Sequence, residues 1–399
     1  MPTLALRRAR LAVGACFVAN AFVYANIVPR LPEIKAELGL SNAALGTAIA
    51  ALPTGSLIAA LTSGFFIARF GSGRVAAVGM AVAAGVLATA TIAPSWGVLA
   101  AVLLVTGALD AVVDVAQNAH GLRVQRHYGR SIINAFHGMW SIGAVAGGLL
   151  GSAAAGLSVP LPVHLLVVAV LVVLAMLLAQ HWMLPGPDEA DGPVVQAADP
   201  ASPPVPTGRV RWPRAAVLAL AALGLLAACG AFVEDAGSSW STLYLQSLAA
   251  APAVAGFGYV GLATGMTVGR FTGDWFVDRW GAAAVVRVGG VLTAVGMGTA
   301  LLVGSVPVTI VGFVLAGLGV ATLVPAVFHA SDEIPGLPRG VGLSVSNWLL
   351  RLGLLACPPL VGLLADATSL RVALIPTVLA GAGAVVLAGW LRPRPTLAR

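Results

Sequence analysis

Long apolar segments, each close to the length that crosses a bilayer, recur along almost the entire chain. A transmembrane helix needs about 20 mainly apolar residues, and these segments lack the apolar–polar alternation of barrel strands. The pattern therefore predicts an all-α membrane protein. Its twelve transmembrane helices are expected at approximately 9–30, 42–69, 74–93, 96–121, 131–156, 162–183, 214–236, 252–277, 282–304, 307–329, 340–365 and 370–391.

The longest polar interruption divides these helices into two sets of six. Residues 184–213 hold many prolines and four acidic residues, a composition typical of a flexible linker. We therefore expect an N-terminal half at 1–183, a cytoplasmic linker at 184–213 and a C-terminal half at 214–399. Residues 54–71 also match residues 264–281 at an offset of 210, which predicts two pseudo-symmetric six-helix halves.

Charge is sparse, and its distribution predicts an orientation. Hydrophobic residues make up 59% of the chain and charged residues 9%, and the net charge is +7. The basic residues are dispersed, so we expect no nucleic-acid partner. With both termini cytoplasmic, nearly all arginines, Arg270 among them, fall on the cytoplasmic side; Arg30, Lys35 and Arg371 fall outside, and Arg351 alone lies within a span. This bias predicts a multi-pass protein of the cell (plasma or inner) membrane.

The fourth predicted helix carries a polar stripe on an otherwise apolar surface. Asp110, Asp114 and Asn118 follow each other at four-residue spacing and so share one helix face. Carboxylates within a bilayer normally face the bundle interior or a wet cavity. A low dielectric and a second nearby carboxylate both favour the neutral acid. Asp114 and Asp110 are therefore candidate proton carriers, unless a buried arginine or histidine locks one of them in a structural salt bridge.

Further polar and aromatic residues lie within the predicted helices. His137 is expected at the depth of Asp114, either as a third proton-coupling residue, as a substrate contact or as a helix-packing residue. Arg351 either pairs with Asp110 or binds an anionic group of the substrate, and each tryptophan is either a cavity wall or a packing residue. The candidate cavity residues are Asn20, Tyr24, Asn26, Asn118, Asn134, Trp140, Asn347, Trp348 and Arg351.

Two acidic residues of the seventh helix are predicted to lie elsewhere. Glu234 and Asp235 are expected to end that helix near the outer surface, because the following Gly-Ser-Ser-Trp segment suggests a break. At such a position they would be solvated or gating groups rather than a coupling site.

Two loop segments resemble a family motif. Residues 64–74 (GFFIARFGSGR) and 273–281 (GDWFVDRWG) are similar to the Gly-x-x-x-Asp-Arg-x-Gly motif of the major facilitator superfamily. Ala68 replaces the aspartate in the first half. The resemblance implies a cytoplasmic gate held by charge contacts, with a weak latch in the first half. The gate positions are Arg69, Gly71, Asp274, Asp278, Arg279 and Gly281.

The same resemblance gives a role to two glycine stripes. Helix 5 carries glycine at 143, 147 and 151, and helix 8 carries it at 261, 265 and 269, a spacing that permits close helix approach. In the superfamily these helices cross between the halves. We therefore expect the glycines to form sliding seams for alternating access.

Residues 109–151 resemble a narrower branch, the fucose-permease-related members. Asp114 and Asn118 match the acid-x-x-x-Asn pattern of helix 4 in that branch, which implies proton coupling at Asp114. The acid that precedes a proline on helix 1 of fucose permease is replaced here by Ala25, ahead of Pro29. Coupling at helix 1 and fucose as the substrate are therefore not implied.

We expect a proton-coupled secondary transporter that moves a small solute by alternating access, with export of a metabolite or drug favoured. The alternatives are proton symport of a sugar-like solute and a non-transporting membrane sensor with the same fold. The sequence has neither a phosphate-binding loop nor a nucleophile motif. We expect no enzyme activity, no cofactor and no metal site. The expected partners are the small-molecule substrate, protons and the lipid bilayer, and the expected state is a monomer.

Overall fold

The computed structural model describes residues 3–129, 131–186, 188, 212–338 and 340–391. These residues contain no strand, and the all-α prediction is confirmed. The long helical segments, numbered here α1 to α12, are Leu4–Glu37, Asn42–Phe70, Ser72–Ile92, Trp96–Tyr128, Ile133–Gly156, Leu161–Trp182, Arg214–Ser247, Phe257–Trp280, Ala282–Val303, Val306–Asp332, Val341–Ala367 and Leu370–Leu391. All except α8 are long and apolar enough to cross a membrane. Helix α8 has comparable length but carries two arginines and two aspartates.

Helix α7 is not broken where the sequence suggested a break. It runs without interruption over Arg214–Ser247, so Glu234 and Asp235 lie near its middle rather than at its end. The expectation that they sit near the outer surface is therefore wrong. Glycine and serine disfavour a helix in water, but here Gly237 packs against Leu262 and Ser239 is buried. Tertiary packing overrides the local preference.

The segment after α6 is tied to the N-terminal half. Arg123 of α4 donates a hydrogen bond to the carbonyl oxygen of Pro185 at 2.8 Å and forms a salt bridge with Asp188 at 3.3 Å. Asp188 in turn accepts hydrogen bonds from the backbone N–H and hydroxyl of Ser72 at 2.7 Å. The predicted linker at 184–213 thus begins with docked residues. Its positions 187 and 189–211 lie outside the described residues.

Equivalent glycine contacts recur in the two halves. Gly55 of α2 lies against the carbonyl group of Leu104 on α4, and Gly265 of α8 lies against the carbonyl group of Val314 on α10. Both members of each contact are displaced by the offset of 210 that the sequence predicts. The glycines that end α2 and α8 also share one conformation, with φ of +82° at residue 71 and +80° at residue 281. The halves are therefore pseudo-symmetric in structure as well as in sequence.

The glycine stripes do not face each other across the halves. The α5 stripe at 143, 147 and 151 packs against the backbone of α1, and the α8 stripe at 261, 265 and 269 packs against α10. The expected seam between the halves is therefore corrected to two contacts within them. Where α5 and α8 do meet, Gly148 contacts Tyr259 and Gly256 contacts Ser152. A stripe of small residues predicts close approach but does not identify the neighbouring helix.

The halves join at one end of the bundle, called here the closed end. There Gly46 of α2 touches the backbone at Pro358 of α11. The Asp366 carboxylate of α11 accepts hydrogen bonds from the backbone N–H groups of Asn42 at 3.0 Å and Ala43 at 2.8 Å. A carboxylate from one half thus caps the first turn of α2 in the other half, where the helix dipole favours negative charge.

The opposite end of the bundle, called here the open end, holds the ends of α2 and α8 at Gly71 and Gly281. Large apolar side chains of α2 and α11 stay uncovered toward this end: Phe65 is 69% exposed and Trp348 is 60% exposed. A cleft of about 1190 Å³ lies between the open-end parts of α2, α3, α4 and α6. Solvent therefore reaches the candidate site from the open end, while contacts between the halves block the closed end.

Candidate functional site

Asp110 belongs to a hydrogen-bonded chain that links three helices. The side-chain amide of Asn20 on α1 donates to Asp110 Oδ1 at 2.7 Å. The indole N–H of Trp140 on α5 donates to Asn20 Oδ1 at 2.8 Å. This chain places Asp110, Asn20 and Trp140 at one level of the bundle. Because the amide group of Asn20 offers a donor to one side and an acceptor to the other, it fixes both partners.

Asp114 lies one turn closer to the open end and is held only by its own helix. Gln117 and Asn118 donate to Asp114 Oδ1 at 3.2 Å and 3.1 Å. The carboxylate is exposed and lines the open cleft, together with Arg69 and Arg126 at its rim. Within the described residues Asp114 forms no salt bridge at 4.0 Å or less. It therefore combines access to solvent with freedom from a structural ion pair.

His137 and Arg351 lie near these aspartates without bonding to them. Both are close enough to Asp114 for an electrostatic interaction, and Arg351 is also close enough to Asp110. The ring of His137 is exposed and meets Phe17 edge-on at 5.2 Å between ring centroids. In the described part of the chain Arg351 makes neither a hydrogen bond nor a salt bridge. The ion pair between Arg351 and Asp110, one of two expectations for this arginine, is therefore not formed.

The remaining candidate cavity residues vary in exposure. Asn134 and Trp348 are exposed, and Asn347 and Tyr24 are partly buried. Neither asparagine side chain hydrogen bonds within the described residues, so both amides are free for water or a solute.

Asn26 does not belong to this cavity. It is fully buried, and its side chain donates to the carbonyl oxygen of Phe22 and contacts His164 Nε2 at 3.1 Å. His164 in turn contacts Arg30, which is 1% exposed and paired with Glu33 at 2.6 Å. Arg30 was expected on the outer side. It belongs to the 3₁₀ turn Val28–Arg30 that follows the long first stretch of α1, and it is buried there by His164 and by the carbonyl oxygen of Val159, to which it donates at 2.7 Å.

Arg270 was expected among the cytoplasmic arginines, but it lies within α8 between the two halves. Its guanidinium group sits over the Trp140 ring at 5.5 Å and donates a long hydrogen bond of 3.4 Å to the Ser141 hydroxyl. It also lies 3.9 Å from Glu234 of α7. These residues line a small crevice where α5, α7 and α8 meet. The signal was present in the sequence, since residue 270 falls inside the predicted span 252–277.

The predicted gate residues stand apart in this conformation. Arg69, Asp274, Asp278 and Arg279 are all exposed at the open end. None of them forms a salt bridge among the described residues, and the Arg69 guanidinium lies over its neighbour Phe70 at 5.5 Å. The charge contacts that the resemblance implies are therefore not made while this end is open.

Comparison with known proteins fits this architecture. The sequence profile of the Major Facilitator Superfamily matches residues 13–248. An uncharacterized MFS-type transporter of Yersinia pestis is 30% identical over 365 residues, which cover 90% of each chain.

Two solved structures share the fold at low sequence identity. A bacterial homologue of the human lysosomal transporter Spinster, in an inward-facing and occupied conformation, has a TM-score of 0.74 and 16% identity, and the match covers 98% of this chain and 97% of that one. The MFS transporter FucP, in an outward conformation, has a TM-score of 0.60 and 16% identity, and the match covers 96% of this chain and 99% of that one. By the match of family profile, relative and fold, this chain belongs to the major facilitator superfamily of membrane transporters.

Proposed function

We propose that this protein is a proton-coupled transporter that exports a small polar solute by alternating access. The observation that carries the proposal is the environment of Asp114. Its carboxylate faces the open cleft and is hydrogen-bonded only by Gln117 and Asn118 of its own helix. Such a group exchanges a proton with water in the cleft without breaking an ion pair, as a coupling residue requires.

Arg351 supports a solute site close to the coupling residue. It has no bonded partner among the described residues, yet it lies within electrostatic reach of Asp110 and Asp114. A guanidinium group presents several donors in a fixed plane and suits a carboxylate or phosphate. The solute we propose therefore carries an anionic group, which Arg351 binds when Asp114 is neutral.

The orientation follows from the arginines. Arg69, Arg279 and the rim residue Arg126 lie at the open end, and positive charge favours the cytoplasmic side. We place the open end in the cytoplasm, with both termini on that side of a bacterial inner membrane. Export as the direction rests on α1, where the buried Ala25 stands in place of an acid.

The test begins with a thermal-shift screen of sugars, sugar acids and hydrophobic drugs on the purified protein. A solute that raises the unfolding temperature is then used in proteoliposomes with an imposed pH gradient. Asp114→Asn is expected to abolish the dependence of flux on the gradient while the protein still folds. Val115→Ala, an exposed apolar position beside Asp114 that lines the same cleft, serves as the matched control and keeps this dependence.

Each outcome decides between the alternatives. Unchanged proton-driven flux in Asp114→Asn would remove this residue from the mechanism. If the solute moves in the same direction as the protons rather than in the opposite direction, symport, the second candidate, would replace export. Binding with no flux in any condition would favour a sensor.

A further inference from the structure

Helix α7 carries a polar stripe that the proposed function does not use. Asp235, Ser239, Thr242 and Gln246 follow each other at spacings of four, three and four residues, which places them on one helix face. The stripe begins near the middle of α7 and ends one residue before its closed-end terminus. Ser239 and Thr242 are each 1% exposed. This part of α7 packs against Val28–Arg30 and Leu31–Glu37 of the other half, so the stripe lies close to where the halves meet.

Several polar atoms of this segment have no hydrogen-bond partner. They are Asp235 Oδ2, the Thr242 hydroxyl and the hydroxyl of the adjacent Ser241, all shielded from solvent. Hydroxyls elsewhere in the bundle bond back to the carbonyl four residues earlier, as Thr54 does at 2.7 Å and Thr267 does at 2.7 Å. Buried polar groups in proteins are almost always paired, and ordered water is the usual partner where protein atoms supply none. The stripe therefore has hydrogen-bonding capacity that water would fill.

Within the described part of the chain, Asp235 also has no positive partner at salt-bridge distance. Tyr24 of α1 and Cys357 of α11 lie beside it, its neighbour on α7 is Glu234, and the Ser239 hydroxyl donates to it over a long 3.4 Å. Among the described residues, no charged side chain on the elements packed against α7 forms a salt bridge with Asp235. The charged and titratable groups of these elements include Tyr259, Arg270, Asp274, Asp278 and Arg279 on α8, Arg30, Glu33, Lys35 and Glu37 on α1, His329 and Asp332 on α10, Arg351 and Asp366 on α11, and Arg371 on α12. An uncompensated carboxylate in such surroundings is costly, so the neutral acid is favoured.

We propose that this stripe is a hydrated proton path from the closed end to Asp235, and that Asp235 holds a proton while that end is closed. The inference rests on the proposed proton coupling and adds a second site to it. Asp114 then exchanges protons with the compartment at the open end. Asp235 exchanges them with the other compartment once the halves part at the closed end. Two carboxylates, one in each half of the molecule, would thus divide loading and release of the proton between them.

Infrared spectroscopy tests the proton on Asp235 without any solute. The purified protein in lipid nanodiscs is compared in H₂O and D₂O, and the C=O stretching band of protonated carboxyl groups is recorded. Asp235→Asn is expected to remove one component of this band. Asp366→Asn is the control, because that carboxylate is exposed and capped by backbone N–H groups, and it is expected to remove none. An unchanged band in Asp235→Asn would overturn the proposal.

Thiol labelling tests the path itself and does not depend on the folding of an Asp235 variant. Thr242→Cys is introduced into a protein in which Cys16, Cys229 and Cys357 are replaced by alanine. A membrane-impermeant maleimide is expected to label it at least tenfold faster when Asp366→Ala loosens the closed end. Leu245→Cys, which is buried against Gly258 of the same half, is the matched control and stays protected. Equal protection of both cysteines in both backgrounds would exclude a hydrated path.

The two proposals fail separately. An intact protonated-carboxyl band in Asp235→Asn with a lost pH dependence in Asp114→Asn removes only the second site. Loss of the Asp235 band together with proton-independent flux in every variant removes the proposed coupling and leaves Asp235 as a buried neutral acid.

Discussion

At the scale of single residues, the carboxylates of the cavity differ in what holds them. Asp110 receives a short hydrogen bond from Asn20 on another helix, whereas Asp114 is held only by longer bonds from its own helix. The position of a carboxylate that is held by a neighbouring helix depends on how that helix packs. One that is fixed only locally is free to change its protonation state without moving its surroundings. The geometry thus distinguishes Asp110, which is fixed across helices, from Asp114, the residue for which we propose proton coupling.

Replacing Asn20 tests the positioning role. Asn20→Leu removes a donor from Asp110 and an acceptor from Trp140, and leaving buried polar groups unpaired costs about 1–3 kcal/mol each. We expect a lower unfolding temperature in detergent and a weakened pH dependence of flux. Asn134→Leu, which alters an exposed amide without a hydrogen bond, should change stability by no more than about 0.5 kcal/mol. Equal effects of the two substitutions would contradict the assignment.

The sequence identified the acids of α4 but not all of their partners. Four-residue spacing is visible along the chain, so Asp110, Asp114 and Asn118 could be placed on one face. Asn20 could be named as a cavity residue, but not as the bridge to Trp140, because that depends on how α1 packs between α4 and α5. An ion pair with Asp110 was one of two expectations for Arg351; within the described residues that pair is not formed, and Asp110 accepts a hydrogen bond from Asn20 instead.

At the scale of helices, glycine decides how closely the backbones approach. Gly107 of α4 lies against the carbonyl group of Leu52, and Gly317 of α10 lies against the carbonyl group of Leu262. The paired helices α2–α4 and α8–α10 are therefore joined in the same way in each half. A side chain at either glycine would have to displace backbone, which cannot relax as the end of a flexible side chain can.

Alanine substitutions measure this contact. Gly107→Ala and Gly317→Ala are each expected to destabilise the protein by about 1–3 kcal/mol, the usual cost of overpacking. Gly64→Ala is the control, since a Cβ at that position of α2 meets nothing within 4 Å. It should be neutral or stabilising by up to about 1 kcal/mol, because alanine favours a helix over glycine. Thermal unfolding of the three variants in one detergent checks the order, and a Gly107 variant as stable as the Gly64 variant would refute it.

Helix positions were the most predictable feature of the fold, because apolar length alone sets them. The errors came from residues whose local preference opposes their packing. Gly237 and the serines that follow it suggested the end of α7, and their burial against neighbouring helices keeps α7 continuous. The partners of the glycine stripes were also assigned wrongly, because spacing within one helix carries no information about the helix it meets.

At the scale of the molecule, one polar contact ties the halves where they close. Asp366 of α11 caps the start of α2 through Asn42 and Ala43. The contact crosses from one half to the other, so it must break when the closed end opens. In the alternating-access cycle we propose, it therefore contributes to the free-energy difference between the two conformations.

Asp366→Ala should shift that balance toward the conformation with the closed end parted. N-cap contacts contribute about 0.5–2 kcal/mol, which corresponds to a change of roughly 2- to 30-fold in the ratio of the two states. Spin labels at Thr47 of α2 and Thr368 after α11, both exposed at this end, report the separation by pulsed electron paramagnetic resonance. The matched control is Glu37→Ala, an exposed carboxylate of the same end that forms no salt bridge in the described residues. The idea is abandoned if Asp366→Ala leaves the distance distribution of the wild type unchanged.

The lengths of α4 and α7 connect this equilibrium to the host membrane. These helices hold 33 and 34 residues, or about 50 Å at 1.5 Å per residue, against a hydrocarbon core of about 30 Å. A hydrophobic stretch that exceeds the core tilts within it or thickens it locally, whereas the polar last turns of α4, which carry Arg123 and Arg126, can extend beyond it. In the alternating-access cycle we propose, rocking of the halves changes the tilt of both helices, so lipids with longer or shorter acyl chains will favour different conformations. The rate of exchange between the two states should thus depend on bilayer thickness even where no lipid binds the protein specifically.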